Sequence, residues 1–161
     1  MRRRIYVASS WRNQEQPALV GALRAEGHEV YDFRNPPGAT GFSWGELDPA
    51  WLRWTPEHYS ALVTAHPRAR AGFESDKSAL DWCDTCVLLL PCGRSAHLEA
   101  GYTSGQGKQV VVRLSAERFE PELMYLMCSA LAHTDQEVLE FLRRPVPVAR
   151  LVSLLGAAAD A

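Results

Sequence analysis

The apolar run TCVLLL at residues 85 to 90 constrains the fold of this chain more than any other segment. An apolar run without alternation is typical of a strand that is buried on both faces, in the middle of a parallel sheet. The segment PCGRSAHLEAGYTSGQGK follows at 91 to 108, and QVVVRL at 109 to 114 predicts the next parallel strand. Between these strands we predict a helix from Ala96 to about Gly105.

The rest of the chain alternates between strands and helices in the same way. Further strands are predicted at 4–9, 28–33 and 128–133, and helices at 13–26, 56–66, 73–82, 122–127 and 135–144. This order predicts an α/β fold: a doubly wound, Rossmann-like or flavodoxin-like open sheet of about five mostly parallel strands, with helices on both faces. Residues 1–144 are predicted to form a single domain, and the tail 145–161 either contacts a partner subunit or is mobile.

In such a sheet, ligands bind beyond the carboxyl ends of the strands. That rule brings together residues 8–11, 33–36 and 91–95, which each follow a predicted strand. A loop of about twenty residues, 36–56, is rich in glycine, proline and aromatic residues. Compact domains seldom carry so long a loop without a use, so we predict that it acts as a lid.

Composition narrows the class of partner. The chain has 161 residues, of which 47% are hydrophobic, and a formal net charge of −2, so neither a nucleic-acid polymer nor a membrane surface is favoured over a small molecule. No run approaches the roughly 20 apolar residues of a membrane span, and the start MRRRIYVASS is unlike a signal peptide. We expect a cytoplasmic protein.

The four cysteines are too few for a disulfide scaffold. The CDTC segment lacks a second ligand pair, so Cys83 and Cys86 are predicted to be packed thiols, with no metal and no cofactor.

Glu99 needs a chemical explanation. With Ser95 as the N-cap of its helix, Glu99 lies at position N4, one residue too late for a capping box. Two interpretations stay open: a surface carboxylate that complements the helix dipole, or a nucleophile or acid/base group at the mouth of a strand. Gly101 in the same helix costs about 1 kcal/mol relative to alanine, so we expect a close approach of its backbone to the sheet or to a ligand.

The segment SAHLEAGYTSGQGKQVVV resembles the signature of the nucleoside 2-deoxyribosyltransferase family and its relatives, the 2'-deoxynucleoside 5'-phosphate N-hydrolases. The resemblance covers most of the chain in order, and it implies that Glu99 is a nucleophile that attacks the anomeric carbon of a ribosyl group. IYVASS resembles the opening strand of the family, which implies that Tyr6 orients this nucleophile. SDKSALDWCDTCVLLLP resembles the family's helix with two aspartates, which implies that Asp76 faces the site. The alternatives are a core tyrosine and a solvated aspartate.

The sequence departs from the transferases at Gly93, where they usually carry an aspartate. Gly93, Arg94 and Ser95 are candidates for holding a phosphate at the helix N-terminus, although a capping serine and a solvated arginine explain them equally well. Ser9 is a candidate contact for a phosphate or sugar, or a helix cap. The aromatic side chains of Phe42 and Trp44 are candidates for stacking on a base, or anchors of the long loop.

Cleavage of an N-glycosidic bond needs a carboxylate beside an oxocarbenium-like carbon, and a proton or hydrogen bond for the departing base. We therefore predict a nucleoside or nucleotide N-glycosyl hydrolase or 2-deoxyribosyltransferase, with Glu99, Asp76 and Tyr6 as catalytic residues. The alternative hypothesis is a catalytically silent nucleotide-binding or sensor module, since Gly93 replaces an acid. The identity of the base and of the sugar stays open, and so does the choice between hydrolysis and transfer. The resemblance also implies a homo-oligomer, a dimer or larger.

Overall fold

The computed structural model describes residues 1–116, 119–144 and 152–153. Its sheet contains β1 (Arg4–Ala8), β2 (Glu29–Tyr31), β3 (Thr85–Leu89), β4 (Gln109–Arg113), β5 (Ala130–Ala132) and β6 (Val152–Ser153). The strand order is β2-β1-β3-β4-β5-β6, and every neighbouring pair is parallel. The predicted doubly wound α/β fold is confirmed, and its order reverses between β1 and β3, where such folds bind ligands.

The helices are α1 (Gln16–Ala25), α2 (Trp44–Leu47), α3 (Pro56–Ala65), α4 (Pro67–Trp82), α5 (Arg94–Gly105) and α6 (Asp135–Arg143), with short 3-10 helices at Trp51–Arg53 and Leu123–Met127. The long helix α4 begins at Pro67, and not near Phe73 as predicted. Proline is well suited to the first helical turn, where its missing N–H would have no intrahelical partner. The loop 36–56 is partly ordered by α2 and by the first 3-10 helix.

Alternate residues of each strand point to opposite faces of the sheet, so the core has two halves. On one face, Ile5, Val87 and Val111 belong to a buried cluster with residues of α1 and α6. On the other face, the cluster holds Tyr6 and Cys86 together with small residues of α4 and α5. The strand predicted from TCVLLL is buried on both faces, and Tyr6 lies on the side covered by α4 and α5.

Two residues of the predicted tail extend the sheet. Val152 pairs with Ala130, and Ser153 with Leu131, so that β6 lies along the outer edge of β5. The other residues of 145–161 lie outside the described residues, and a domain boundary at 144 stays a prediction. Across the ranges that the structure describes, no helix is both long enough and apolar enough to cross a membrane.

Candidate active site

Three loops meet at the carboxyl edge of the sheet, as predicted. The Ser9 hydroxyl donates a hydrogen bond to the Leu89 carbonyl (2.9 Å), and the Asn13 amide donates to the Pro91 carbonyl (3.2 Å). Arg34 follows β2, and its Nη2 donates to the carbonyl oxygens of Ser10, Trp11 and Asn13 at 3.0, 3.0 and 2.7 Å. The ends of β1, β2 and β3 are therefore tied into one rim.

Helix α5 begins earlier than predicted, and this changes the position of Glu99. Its N-cap is Gly93, with an extended backbone at φ −96° and ψ −174°, so Ser95 is not the cap. Glycine is an accepted N-cap residue, which is why a search for a capping serine misplaced the start. Glu99 is then the sixth residue of α5. The interpretation as a dipole partner loses support, because the field of the helix falls off within the first turn.

The Glu99 side chain is partly buried beside Asp76 and Tyr6. Burial raises the pKa of Glu99 to about 7; the Asp76 carboxylate also raises it, and the Tyr6 hydroxyl lowers it. The Tyr6 hydroxyl is buried and has no well-aligned hydrogen-bond partner among the described residues, although it is near enough to Glu99 to lower the pKa of that carboxyl. The structure thus brings together the three side chains that the sequence pointed to as catalytic.

Asp76 is held by a residue that the sequence analysis missed. The Tyr31 hydroxyl donates to Asp76 Oδ1 at 2.8 Å and lies 2.9 Å from the Ser75 hydroxyl. Burial raises the pKa of Asp76, and the bond from Tyr31 opposes that rise. Tyr31 is the register partner of Tyr6 on the neighbouring strand. Pairing the segments IYV and VYD as adjacent strands would have brought the two tyrosines together.

Two carboxyl groups with raised pKa values form a coupled pair. Loss of the second proton from such a pair is opposed by burial and by the charge that loss of the first proton leaves, so the last proton leaves only near pH 7, the pKa of Glu99. A pair that holds one proton offers one ionised carboxylate and one proton donor in the same site. That combination suits a reaction that needs a nucleophile and an acid together.

The remaining predicted residues have different surroundings. Gly93, Arg94 and Ser95 are exposed at the N-terminus of α5. Phe42 packs against Gly72, one turn before Asp76 on α4, and meets the edge of Trp44 with ring centroids 4.8 Å apart. Trp44 in turn contacts Trp54 and Tyr59. These contacts show that both candidate aromatics help to anchor the loop, whether or not they also meet a base.

The expectation that Gly101 lets the backbone approach the sheet is wrong, whereas a close approach to a ligand stays a prediction. A Cβ atom at this position would meet no other atom within 4 Å, so no described part of the chain approaches the backbone closely here. Gly101 instead lines a cavity of about 990 Å³ between α5 and the 3-10 helix Leu123–Met127, on the side of α5 away from Glu99. Neither Glu99 nor Asp76 lines this cavity, and we place the site where the carboxyl groups are.

His97 faces that same cavity and not Glu99, because residues two positions apart point to nearly opposite sides of a helix. Its Nδ1 lies 3.0 Å from the Gly93 carbonyl, and its Nε2 lies 3.0 Å from the Tyr125 hydroxyl. Cys83 and Cys86 are buried free thiols, as predicted. Within residues 1–116, 119–144 and 152–153, no group of three or more histidine, cysteine, aspartate or glutamate side chains has the arrangement of a metal site.

Comparison with known proteins gives a likeness in structure. No model of a protein family matches the sequence, and no curated protein matches it. Among solved structures, a 2-deoxyribosyltransferase from Bacillus psychrosaccharolyticus matches with a TM-score of 0.55 and 22% identity, over 83% of this chain and 88% of that chain. A CMP N-glycosidase from Clostridium botulinum matches with a TM-score of 0.49 and 16% identity, over 88% of this chain and 99% of that chain. The first likeness confirms, at the level of fold, the resemblance seen in the sequence.

Proposed function

We propose that this chain is an enzyme that cleaves or transfers the N-glycosidic bond of a (deoxy)nucleoside or of its 5'-phosphate, with Glu99 as the nucleophile. The observation that carries the proposal is the coupled pair of Glu99 and Asp76 beside the buried Tyr6 hydroxyl. The fold shared with a 2-deoxyribosyltransferase supports it.

The proposed reaction uses the singly protonated pair with its proton on Asp76. Because the pKa of Glu99 is raised to about 7, Glu99 holds this proton at rest, and it passes to Asp76 before the attack. The ionised Glu99 carboxylate attacks the anomeric carbon while the bond to the base breaks, and the electron pair of that bond leaves with the base nitrogen. Asp76 delivers a proton to the base, and the Tyr6 hydroxyl steadies the Glu99 oxygens by hydrogen bonding. Asp76, now ionised, then takes a proton from water or from a second base, which attacks the glycosyl ester and frees Glu99.

For the substrate, a nucleoside 5'-phosphate is our preferred class. The N-terminus of the twelve-residue helix α5 offers backbone N–H groups, the Ser95 hydroxyl and the Arg94 guanidinium to a phosphate, with Gly93 leaving that end unobstructed. Ser9 lies on the neighbouring loop of the same rim, and Phe42 and Trp44 are the proposed contacts of the base. The assignment would be supported if the chain released base from 5'-phosphates in preference to free nucleosides. Arg94→Ala should lose this preference.

The test of the reaction is the release of free base from a panel of nucleosides, deoxynucleosides and their 5'-phosphates. Glu99→Gln should reduce release by about 10³-fold or more, since removal of a nucleophile leaves only binding and polarisation. The matched control is Glu74→Gln, an exposed glutamate on α4, which should behave like the unmodified chain. A nucleotide that stabilises the fold and is never consumed would overturn the enzyme and identify the silent sensor instead.

A further inference from the structure

Tyr31 is buried next to both carboxyl groups, and the reaction proposed above gives it no part. We propose that Tyr31 is a positioning residue of the site, which fixes Tyr6 by ring stacking and Asp76 by hydrogen bonding. It would thus hold the residue that orients the nucleophile and the residue that supplies the proton in a fixed relative position. Its catalytic consequence rests on the proposed function, whereas its effect on Asp76 can be measured without any substrate.

The ring of Tyr31 sets the position of Tyr6. The two residues are paired in the register of β1 and β2, so their side chains point to the same face of the sheet. Their ring centroids are 5.3 Å apart and the planes differ by 16°. Because the Tyr6 hydroxyl has no well-aligned hydrogen bond among the described residues, the position of this side chain depends mainly on packing, and Tyr31 supplies one face of that packing.

The hydroxyl of Tyr31 connects β2 to α4 through two adjacent residues. A phenol has a single proton, and here it is donated to Asp76 at 2.8 Å. The Ser75 hydroxyl, 2.9 Å away, is then the donor to the Tyr31 oxygen. A phenol that accepts one hydrogen bond becomes a better donor for the next, so Ser75, Tyr31 and Asp76 form a short polarised chain. This chain restricts the Asp76 carboxyl to one orientation.

The other titratable groups that face Glu99 and Asp76 cannot replace the hydrogen bond that Tyr31 donates to Asp76. They are Tyr6 from β1, Cys86 from β3 and Cys92 just before α5, and the pKa of each is raised by burial. All three are therefore neutral at pH 7. The Tyr31 hydrogen bond is the interaction that favours the ionised form of Asp76 against burial.

The test is Tyr31→Phe, which keeps the ring and its stacking and removes the hydroxyl. We expect a folded protein in which the pKa of Asp76 is higher, because the bond that opposed its rise is gone. The acid limb of the pH profile should move to higher pH, and kcat should fall about tenfold with little change in KM, the size expected for a lost hydrogen bond to a charged group. Ser75→Ala should give a smaller change in the same direction, since the bond from Tyr31 to Asp76 remains.

The matched control is Tyr102→Phe. Tyr102 donates from α5 to Asp81 on α4, so it is also a phenol bonded to an aspartate of that helix, but it is exposed. Its removal should leave the pH profile and kcat unchanged.

Carbon-13 NMR titration of labelled aspartate, with the Asp76 signal assigned through Asp76→Asn, separates this inference from the proposed function. An upward shift of the Asp76 titration in Tyr31→Phe supports the positioning role even if no base is ever released. An unchanged titration overturns it, also when Tyr31→Phe is less stable or less active, because a merely structural tyrosine would give that result.

Discussion

At the scale of single residues, the ionised form of Glu99 is costly to the fold. The pKa of this carboxyl is about 7 in the folded chain against an ordinary value of 4.5, so the folded state binds the proton more tightly. The stability gained from that proton is fully present below pH 4.5 and is lost as the pH rises through 7. We predict that Glu99→Gln, which is always neutral, is more stable than the unmodified chain at pH 8 by on the order of 2–3 kcal/mol, and about equal to it near pH 4.5.

Urea unfolding at both pH values measures this difference. Glu74→Gln serves again as the control, and its difference from the unmodified chain should not depend on pH. A Glu99→Gln variant that is less stable at pH 8 would show that Glu99 belongs to a stabilising structural network and not to a site that keeps a strained carboxyl for chemistry.

The same pair predicts the pH dependence of base release. The reaction needs one proton on the pair, so the rate should fall both when the pair gains a second proton and when it loses its last one, with the alkaline limb near pH 7. In Asp76→Asn the pKa of Glu99 should drop, because the carboxylate that raised it is gone. A rate that keeps rising through pH 8 in the unmodified chain would show that Asp76 does not supply the proton.

At the scale of helices and strands, two glycines differ in what surrounds them. In α4, a Cβ at Gly72 would lie 2.9 Å from both Cβ and Cγ of Phe42, whereas in α5 a Cβ at Gly101 meets nothing within 4 Å. Both positions would gain about 1 kcal/mol of helix propensity with alanine, but at Gly72 the overpacking of about 1–3 kcal/mol opposes it. We predict that Gly101→Ala raises the free energy of unfolding and that Gly72→Ala is about 2 kcal/mol less stable than Gly101→Ala. Thermal unfolding of the two variants side by side checks this, and equal stability would contradict the contact with Phe42.

The elements that the sequence predicted well are those with a strong pattern. TCVLLL and the VVV of QVVVRL are apolar without alternation, as strands that are buried on both faces usually are. Thr134, a residue type that often caps helices, caps α6 through its hydroxyl. Elements without such a pattern were missed or misplaced. The strand Val152–Ser153 is too short to show any periodicity. Tyr31 was overlooked because its partners come from strand register and from a helix 45 residues later in the chain, neither of which a local pattern reveals.

At the scale of the whole molecule, Arg3 joins the beginning of the chain to the C-terminal end of α6. Its side chain is buried, with Nε bonded to the Leu142 carbonyl at 3.0 Å and Nη2 bonded to the Arg144 carbonyl at 2.8 Å. Its Nη1 donates to Gln109 Oε1 at 2.8 Å. We predict that Arg3→Lys loses about 2–3 kcal/mol, because an ammonium group cannot reproduce a planar fork of three bonds and stays charged in a buried position.

Chemical unfolding of Arg3→Lys and of its neighbour Arg2→Lys tests this clamp. Arg2 forms an exposed ion pair with Glu29 at 3.2 Å, and such pairs contribute less than about 1 kcal/mol, so Arg2→Lys should be nearly neutral. Equal effects of the two substitutions would contradict the role assigned to Arg3.

An exposed apolar surface bears on the expected homo-oligomer. Leu98 of α5 and four residues of the second 3-10 helix are all more than half exposed: Leu123, Met124, Leu126 and Met127. Contiguous patches of this kind mark association sites. We predict by light scattering a mass of at least twice the 17.9 kDa of one chain, reduced to one chain in Leu98→Glu. Leu52→Glu, an equally exposed leucine outside this surface, is the control, and a monomeric unmodified chain at high concentration would contradict the prediction.

The pairing of β6 with β5 bears on how the protein should be handled. A shortened chain that stops at 144, where the sequence suggests a boundary, would lack Val152–Ser153 and leave the outer edge of β5 at Ala130 and Leu131 without its neighbouring strand. An uncovered strand edge is a template for pairing with the same edge of another molecule. Truncation intended to simplify crystallisation would therefore favour aggregation, and a shortened form is better ended beyond Ser153.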